Sequence, residues 1–238
     1  MNNIDHKISQ INEIKQLDET VINKIAAGEV VERPASAVKE LIENSIDAGS
    51  TDILIEVADG GKTLIRVTDD GHGMSEIDLP MALRRHATSK LKNNNLLDIN
   101  SFGFRGEALP SLGAVGRLRI VSHKEGHGAY EITVNGGDCS STKPAARVPG
   151  TTIELRDLFY ATPARLKFLR SNKSELKAIT DAVKGLSIST PSVGFTLIDK
   201  IAGKSRILLQ VRKESDNSIK AKKNRLERVL GKEFSKNA

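Results

Sequence analysis

A change of apolar period between residues 34 and 68 constrains this chain more than any other feature. With successive residues set about 100° apart, Val38, Leu41, Ile42, Ser45 and Ile46 share one side, which predicts a helix over 34–48 with one buried face. Arg33-Pro34 opens it, because proline disfavours a helical residue before it and suits a first turn, and Gly49 closes it. The period then drops to two in segments 51–58 and 62–68, which flank Asp59-Gly60-Gly61, a hairpin pattern. The same alternation recurs along the chain. Helices are predicted over 18–31, over 76–85 behind a Ser75 cap, and over 174–186, the last ending near Pro191. Strands are predicted at 117–122, 130–134, 151–157, 193–199 and 205–211. Helices bracketing such strands give an α+β fold, a two-layer sandwich of helices on a mostly antiparallel mixed sheet.

Composition narrows what that fold can do. With no Trp, two Tyr and six Phe in 238 residues, the core must be built from Ile, Leu, Val and Ala, and base-stacking platforms for single strands are disfavoured. One cysteine, Cys139, excludes an internal disulfide framework and a cysteine zinc cluster. The polar N-terminus and the absence of an apolar run near 18 residues predict a cytoplasmic protein that is neither exported nor membrane-bound. The formal charge of +6 suggests nucleic acid, yet residues 201–238 hold 11 Lys/Arg against 4 Asp/Glu, leaving 25 against 26 before them. The basic excess is therefore C-terminal. Three regions follow: an extension over 1–16 with Ile4, Ile8, Ile11 and Ile14 in a helical stripe, a domain over 17–211, and a linker with the start of a truncated second domain over 212–238. Within the last, 212–224 is rich in charge and a short helix is predicted over 225–230.

Four segments could carry chemistry. On the helix after Pro34, Glu40, Glu43, Asn44 and Asp47 share the side opposite the apolar face. Such a face is ordinarily solvated, but no Lys or Arg shares it, so its carboxylates repel unless a cation or polarised ligand lies between them. Magnesium takes oxygen ligands, so one Asn oxygen plus phosphates would suit it and leave a Glu as base. Asp69-Asp70-Gly71-His72-Gly73 follows a strand; it fits a plain tight turn, or a backbone close to a ligand with an Asp receiving an exocyclic amine. Gly103 and Gly106 in Ser101-Phe102-Gly103-Phe104-Arg105-Gly106-Glu107 open a helix and form a phosphate cradle with Arg105 beside it. It is neither a Walker loop nor a complete dinucleotide turn. Arg84 to Lys90, with Thr88 and Ser89, gathers cations and hydroxyls, a solvated charge run or a lid over phosphates. Gly150-Thr151-Thr152 opens a strand and by itself signifies nothing.

Taken together and in order, GEVVERPASAVKELIENSIDAG, DDGHG, RRHATSK, SFGFRGEAL and PGTTIEL resemble the motifs of the GHKL (Bergerat) ATPase superfamily of gyrase, a heat-shock chaperone, histidine kinases and MutL. With DLFYATPARLKFLR at 157–170, the chain resembles the MutL family of DNA mismatch repair proteins from about residue 17 to 230. That resemblance implies an ATP-binding, slowly hydrolysing module whose N-terminal regions dimerise on ATP as a clamp on DNA. Glu40 would be the general base and Asn44 the Mg²⁺ ligand; Asp69 would receive the adenine amine, supported through water by Thr151, with Gly71 and Gly73 lining the base pocket. Thr88, Ser89 and Lys90 in the lid and Gly103, Phe104, Arg105 and Gly106 in the cradle would hold the phosphates. The implied partners are ATP, double- or single-stranded DNA contacted mainly by a second domain beyond this chain, the mismatch-recognition protein MutS, a downstream repair nuclease or helicase, and a second copy. Competing expectations are a nucleotide sensor with negligible hydrolysis, a gyrase-like ATPase, and a basic DNA-binding domain without nucleotide, which would bind duplex in a salt-dependent manner unaffected by ATP.

Overall fold

The computed structural model describes residues 16–88, 90, 102–103, 106–201, 203–215 and 218–231. Helix α1 (Glu19–Val30) precedes α2 (Pro34–Asp47), and strands β1 (Asp52–Ala58) and β2 (Leu64–Asp69) form the expected hairpin around a 3-10 turn at Asp59–Gly61. Next come α3 (Asp78–Ala82), α4 (Ala108–Val115), β3 (Arg117–His123), β4 (Ala129–Asn135), the short β5 (Asp138–Cys139) and β6 (Lys143–Ala145), and β7 (Gly150–Arg156). A 3-10 segment at Pro163–Phe168 leads to α5 (Asn172–Ser189), β8 (Gly194–Ile201), β9 (Lys204–Val211) and α6 (Ile219–Leu230). The strands join one sheet in the order β5-β4-β3-β7-β2-β1-β8-β9, with β6 pairing on β4. Every pairing is antiparallel except β1 with β8. The fold is the α+β sandwich expected, on a mostly antiparallel mixed sheet.

The two faces of the sheet differ in chemistry because strand residues alternate sides. One face, with Ile53, Ile55, Ile65, Val67, Leu118, Ile120, Ile153 and Leu155, is buried in a continuous core with Val38, Leu41 and Ile42 of α2 and Ile179 and Val183 of α5. That core is aliphatic as composition requires; among the described residues its only fully buried aromatic side chains are Phe159 and Phe195. The other face carries alternating charges that pair along and across strands: Arg156 with Glu154 along β7, then Glu154 with Arg66, Arg66 with Glu56, and Glu56 with Lys200 from strand to strand.

Three predicted elements are revised. The helix predicted over 76–85 is only α3, because the Leu83 and Arg84 N–H groups turn back to the carbonyls three residues earlier, of Pro80 and Met81, and the chain leaves the α-helix there. The helix predicted over 174–186 extends at both ends; Ser171 caps it, its hydroxyl accepting from the Ser174 N–H. The helix predicted from 225 begins at Ile219, so part of the charged run before it is helical. Helix α6 packs against α5 and β9, and Arg225 enters fully buried, donating to the carbonyls of Ser187, Pro191, Val193 and Arg212. The isoleucine stripe from Ile4 to Ile14 and the Asn93-Asn94-Asn95 segment lie outside the described residues.

Candidate functional site

Helix α2 turns its apolar side to the sheet, and Asp47 at its C-terminal end meets the backbone at Phe102 and Gly103, ahead of α4. Glu40 and Asn44 are half-buried one turn apart, and Glu43 is buried with the exposed Lys39 ammonium 3.6 Å away. A second cation reaches this stripe from outside the helix. Lys90 places its ammonium 2.8 Å from Asn44 Oδ1 and 2.6 Å from Asp47 Oδ2. Two hard oxygens thus converge on one cation here, a donor type that suits a divalent metal as well as an ammonium. Among the described residues no group of three His, Cys, Asp or Glu makes a metal site unaided.

At the end of β2 the two adjacent aspartates have separate tasks. Asp70 pins the start of β1, accepting from the Thr51 and Asp52 N–H groups and the Thr51 hydroxyl. Burial alone would raise its pKa, but these hydrogen bonds outweigh burial and hold it below the ordinary value. Asp69 points to the helical side and is buried. Its Oδ1 accepts from the N–H groups of Gly71 at 2.9 Å and Thr151 at 3.2 Å, and its Oδ2 accepts from the Ser45 hydroxyl at 2.8 Å. A carboxylate has about four acceptor positions, so one remains, on Oδ2, for a ligand donor.

Gly71 and Gly73 follow, and both positions are too close to neighbours for a side chain. A Cβ on Gly71 would lie 2.7 Å from Ser50 Oγ, while Gly73 has φ 67° and a Cβ there would collide with the His123 carbonyl. Thr151, beside Asp69 on β7, shares a 2.8 Å hydrogen bond with the Ser122 hydroxyl, which accepts from the Met74 N–H at 2.8 Å. A hydroxyl network thus ties the DxGxG turn to β3 and β7.

The lid and cradle meet the end of α2. Thr88 Oγ1 accepts from the Lys90 N–H at 3.1 Å, and the N–H groups of Phe102 and Gly103 donate to Asp47 at 3.1 and 3.2 Å. Gly106 has φ 63° and a Cβ there would strike the Ala87 backbone, while its carbonyl accepts from the His86 N–H at 3.2 Å. Lid and cradle are therefore in backbone contact, and only glycine permits that approach. Ser89, Phe104 and Arg105 lie outside the described residues.

The assembly consists of a buried carboxylate with one open acceptor, glycines against it, and a lysine with backbone N–H groups before a helix. A family model described as "Histidine kinase-, DNA gyrase B-, and HSP90-like ATPase" matches residues 31–159, more than half of the chain. The chain belongs to this ATPase family. The matched stretch runs from the start of α2 through β7 and so contains every residue of the site from Glu40 to Thr151. Within the family the chain is a MutL homologue. It is 53% identical over 226 residues to the DNA mismatch repair protein MutL of Rhizobium leguminosarum bv. trifolii (strain WSM2304), and 54% identical over the same length to that of Rhizobium etli (strain CIAT 652). Each alignment covers 94% of this chain and 36% of the relative, so the chain spans little more than a third of the curated proteins it matches. Among solved structures it is similar to the Aquifex aeolicus MutL ATPase domain complexed with ADP, at TM-score 0.68 and 30% identity over 84% of this chain and 70% of that one. A crystal structure of the N-terminal domain of a DNA repair protein gives TM-score 0.73 at 26% identity, covering 89% of this chain and 60% of that one.

In this member of the family, sequence reasoning missed three contributors. Ser45 reads as part of the apolar side of α2, but it is the residue on that side able to donate to Asp69. Arg147 donates to the Asp69 carbonyl at 2.5 Å and to the Thr152 hydroxyl, supporting the strand end from the helix-free face. Burial lowers its pKa and the charge of Asp69 acts in the opposite sense. Asp47, which the sequence places on the carboxylate side of α2 without a task of its own, holds both the Lys90 ammonium and the Phe102 and Gly103 N–H groups.

Proposed function

We propose that this chain is the ATP-binding and slowly hydrolysing, Mg²⁺-dependent ATPase module of a DNA mismatch repair mediator. The observation that carries this is the Asp69 carboxylate, braced by three protein donors and keeping one acceptor position for the adenine amine. Gly71 and Gly73 let the base approach, and Thr151 and its hydroxyl partners hold the water that supports it. Lys90, Thr88 and the cradle of Gly103 and Gly106 bind the phosphates, with Ser89, Phe104 and Arg105 contributing as family motif positions. Asn44 is the Mg²⁺ ligand, and the metal supplies neutralisation of charge on the phosphates. Glu40, one helical turn before Asn44, orients the attacking water and removes its proton.

In the wider protein, ATP closes two copies into a clamp on DNA. Exposed Val21, Ile22 and Ile25 on α1 support a self-association surface of this kind. DNA itself, double- or single-stranded, is gripped mainly by segments outside this chain, since the charges on the open sheet face are paired with one another while exposed Lys220, Lys222 and Lys223 lie on α6. MutS and a downstream repair nuclease or helicase are the protein partners, in the cytoplasm. Residues 17–211 form the ATPase unit, 1–16 an extension and 212–238 the passage to a second domain, with α6 anchored back on the first. Equilibrium binding of ATP with and without Mg²⁺ to wild type and Asn44→Ala tests the reading. Wild type should bind more tightly with Mg²⁺ and Asn44→Ala should lose that gain; no ATP binding by wild type would refute it.

A further inference from the structure

Resting on the nucleotide reading above, we propose that the Asp47 carboxylate is an internal occupant of the phosphate subsite, competing with a polyphosphate for the same donors and so setting the affinity for phosphate-bearing ligands. Asp47 takes the Lys90 ammonium at 2.6 Å and the Gly103 N–H at 3.2 Å on Oδ2, and the Phe102 N–H at 3.1 Å on Oδ1. One ammonium and two successive backbone N–H groups are a set of donors suited to a phosphate oxygen. Its side chain is 8% exposed and that of Lys90 is 22% exposed, so the pair is largely withdrawn from water.

A purely structural role explains this position poorly. Asp47 is the last residue of α2, where the exposed carbonyl ends of the helix carry partial negative charge, and no basic residue in the last turn offsets it. An anion placed there is unfavourable for the helix and is compensated only by the lid and cradle donors. The same carboxylate leaves Lys90 bridging Asp47 and Asn44, with the ammonium lying against the Asn44 oxygen assigned to the metal. Phosphate entry thus draws Lys90 from Asn44 and frees that oxygen in the same exchange. The device makes binding depend on the number of phosphates, because each anionic oxygen offered competes with a single carboxylate.

The test is calorimetric titration with ADP, and separately with adenosine, in EDTA, for wild type, Asp47→Asn, Asp47→Ser and Asp47→Glu. Both neutral variants should bind ADP about tenfold more tightly than wild type, the gain expected when one charge-assisted competitor is removed. Adenosine affinity should not change, and Asp47→Glu should remain near wild type. ADP binding that is unchanged or weakened in whichever neutral variant folds overturns the inference while leaving the nucleotide reading intact. Failure of wild type to bind either ligand refutes that reading and the inference with it.

Discussion

Asp69→Asn separates ligand recognition from folding. Oδ1 faces two backbone N–H groups, of Gly71 and Thr151, neither of which can reverse its polarity. The asparagine carbonyl must therefore occupy the Oδ1 position, which puts the amide NH₂ where Oδ2 was. Ser45 tolerates this, since its hydroxyl can accept from the new donor while donating to the Leu41 carbonyl, 3.2 Å away. All protein partners stay satisfied, and three charge-assisted bonds become neutral ones, costing about 1–2 kcal/mol after the relief of burying less charge. For a chain of this size that lowers Tm by roughly 2–8 °C. The ligand side fares worse, because the one open acceptor is replaced by a donor that opposes the adenine amine. Affinity for ADP should fall about a hundredfold, equivalent to roughly 3 kcal/mol. Competition between ADP and IDP is the assay, hypoxanthine presenting a carbonyl where adenine has its amine. Wild type should prefer ADP, and Asp69→Asn should lose or reverse that preference. A folded Asp69→Asn that still prefers ADP would refute the assignment of Asp69 to the base.

Other perturbations read different parts of the same structure. Gly73→Ala places a Cβ against the His123 carbonyl at a positive φ and should cost about 2 kcal/mol or more, seen as a lower denaturant midpoint. Arg225→Met strips the donors from four carbonyls beneath α6 and should cost about 3 kcal/mol, with faster amide exchange in α6; unchanged stability would show that α6 is not anchored by this contact. For Glu56, burial raises the pKa, but Lys200 and Arg66 outweigh it and hold the group below its ordinary value. Its contribution to stability is thus present above about pH 4.3, the unfolded value, and is lost as pH falls through the lowered folded value. Glu56→Gln should flatten the fall in unfolding free energy below that pH, measured by urea titration at stepped pH.

The layers of the fold were legible because each period is local. Val38, Leu41 and Ile42 announce the buried side of α2, and Asp59-Gly60-Gly61 announces the hairpin. The end of α3 was not legible, because no glycine or proline follows it and the Leu83 and Arg84 N–H groups simply shift to carbonyls three residues back. Strands β5 and β6 have two and three residues, too few to show an alternation. At the site, residue types signalled Asp69, the glycines and the Glu40/Asn44 stripe. Their interlocks were invisible, since Lys90 reaching Asp47 and Ser45 reaching Asp69 join segments 43 and 24 residues apart. The α2 stripe, read as lacking a cation, has one from its own helix in Lys39 beside Glu43 and one from a distant segment in Lys90, which the local pattern could not show. The same holds for Gly28 in α1, whose position is filled by the Arg165 guanidinium from the 3-10 segment, which donates to the Val31 carbonyl.

The most direct measurement is ATP retention and phosphate release followed side by side in wild type and Glu40→Ala. A general base acts only in the chemical step, so Glu40→Ala should keep ATP affinity within about threefold while phosphate release falls about a hundredfold or more. Equal loss of binding and turnover, or undiminished turnover, would contradict the assignment of Glu40 as the base.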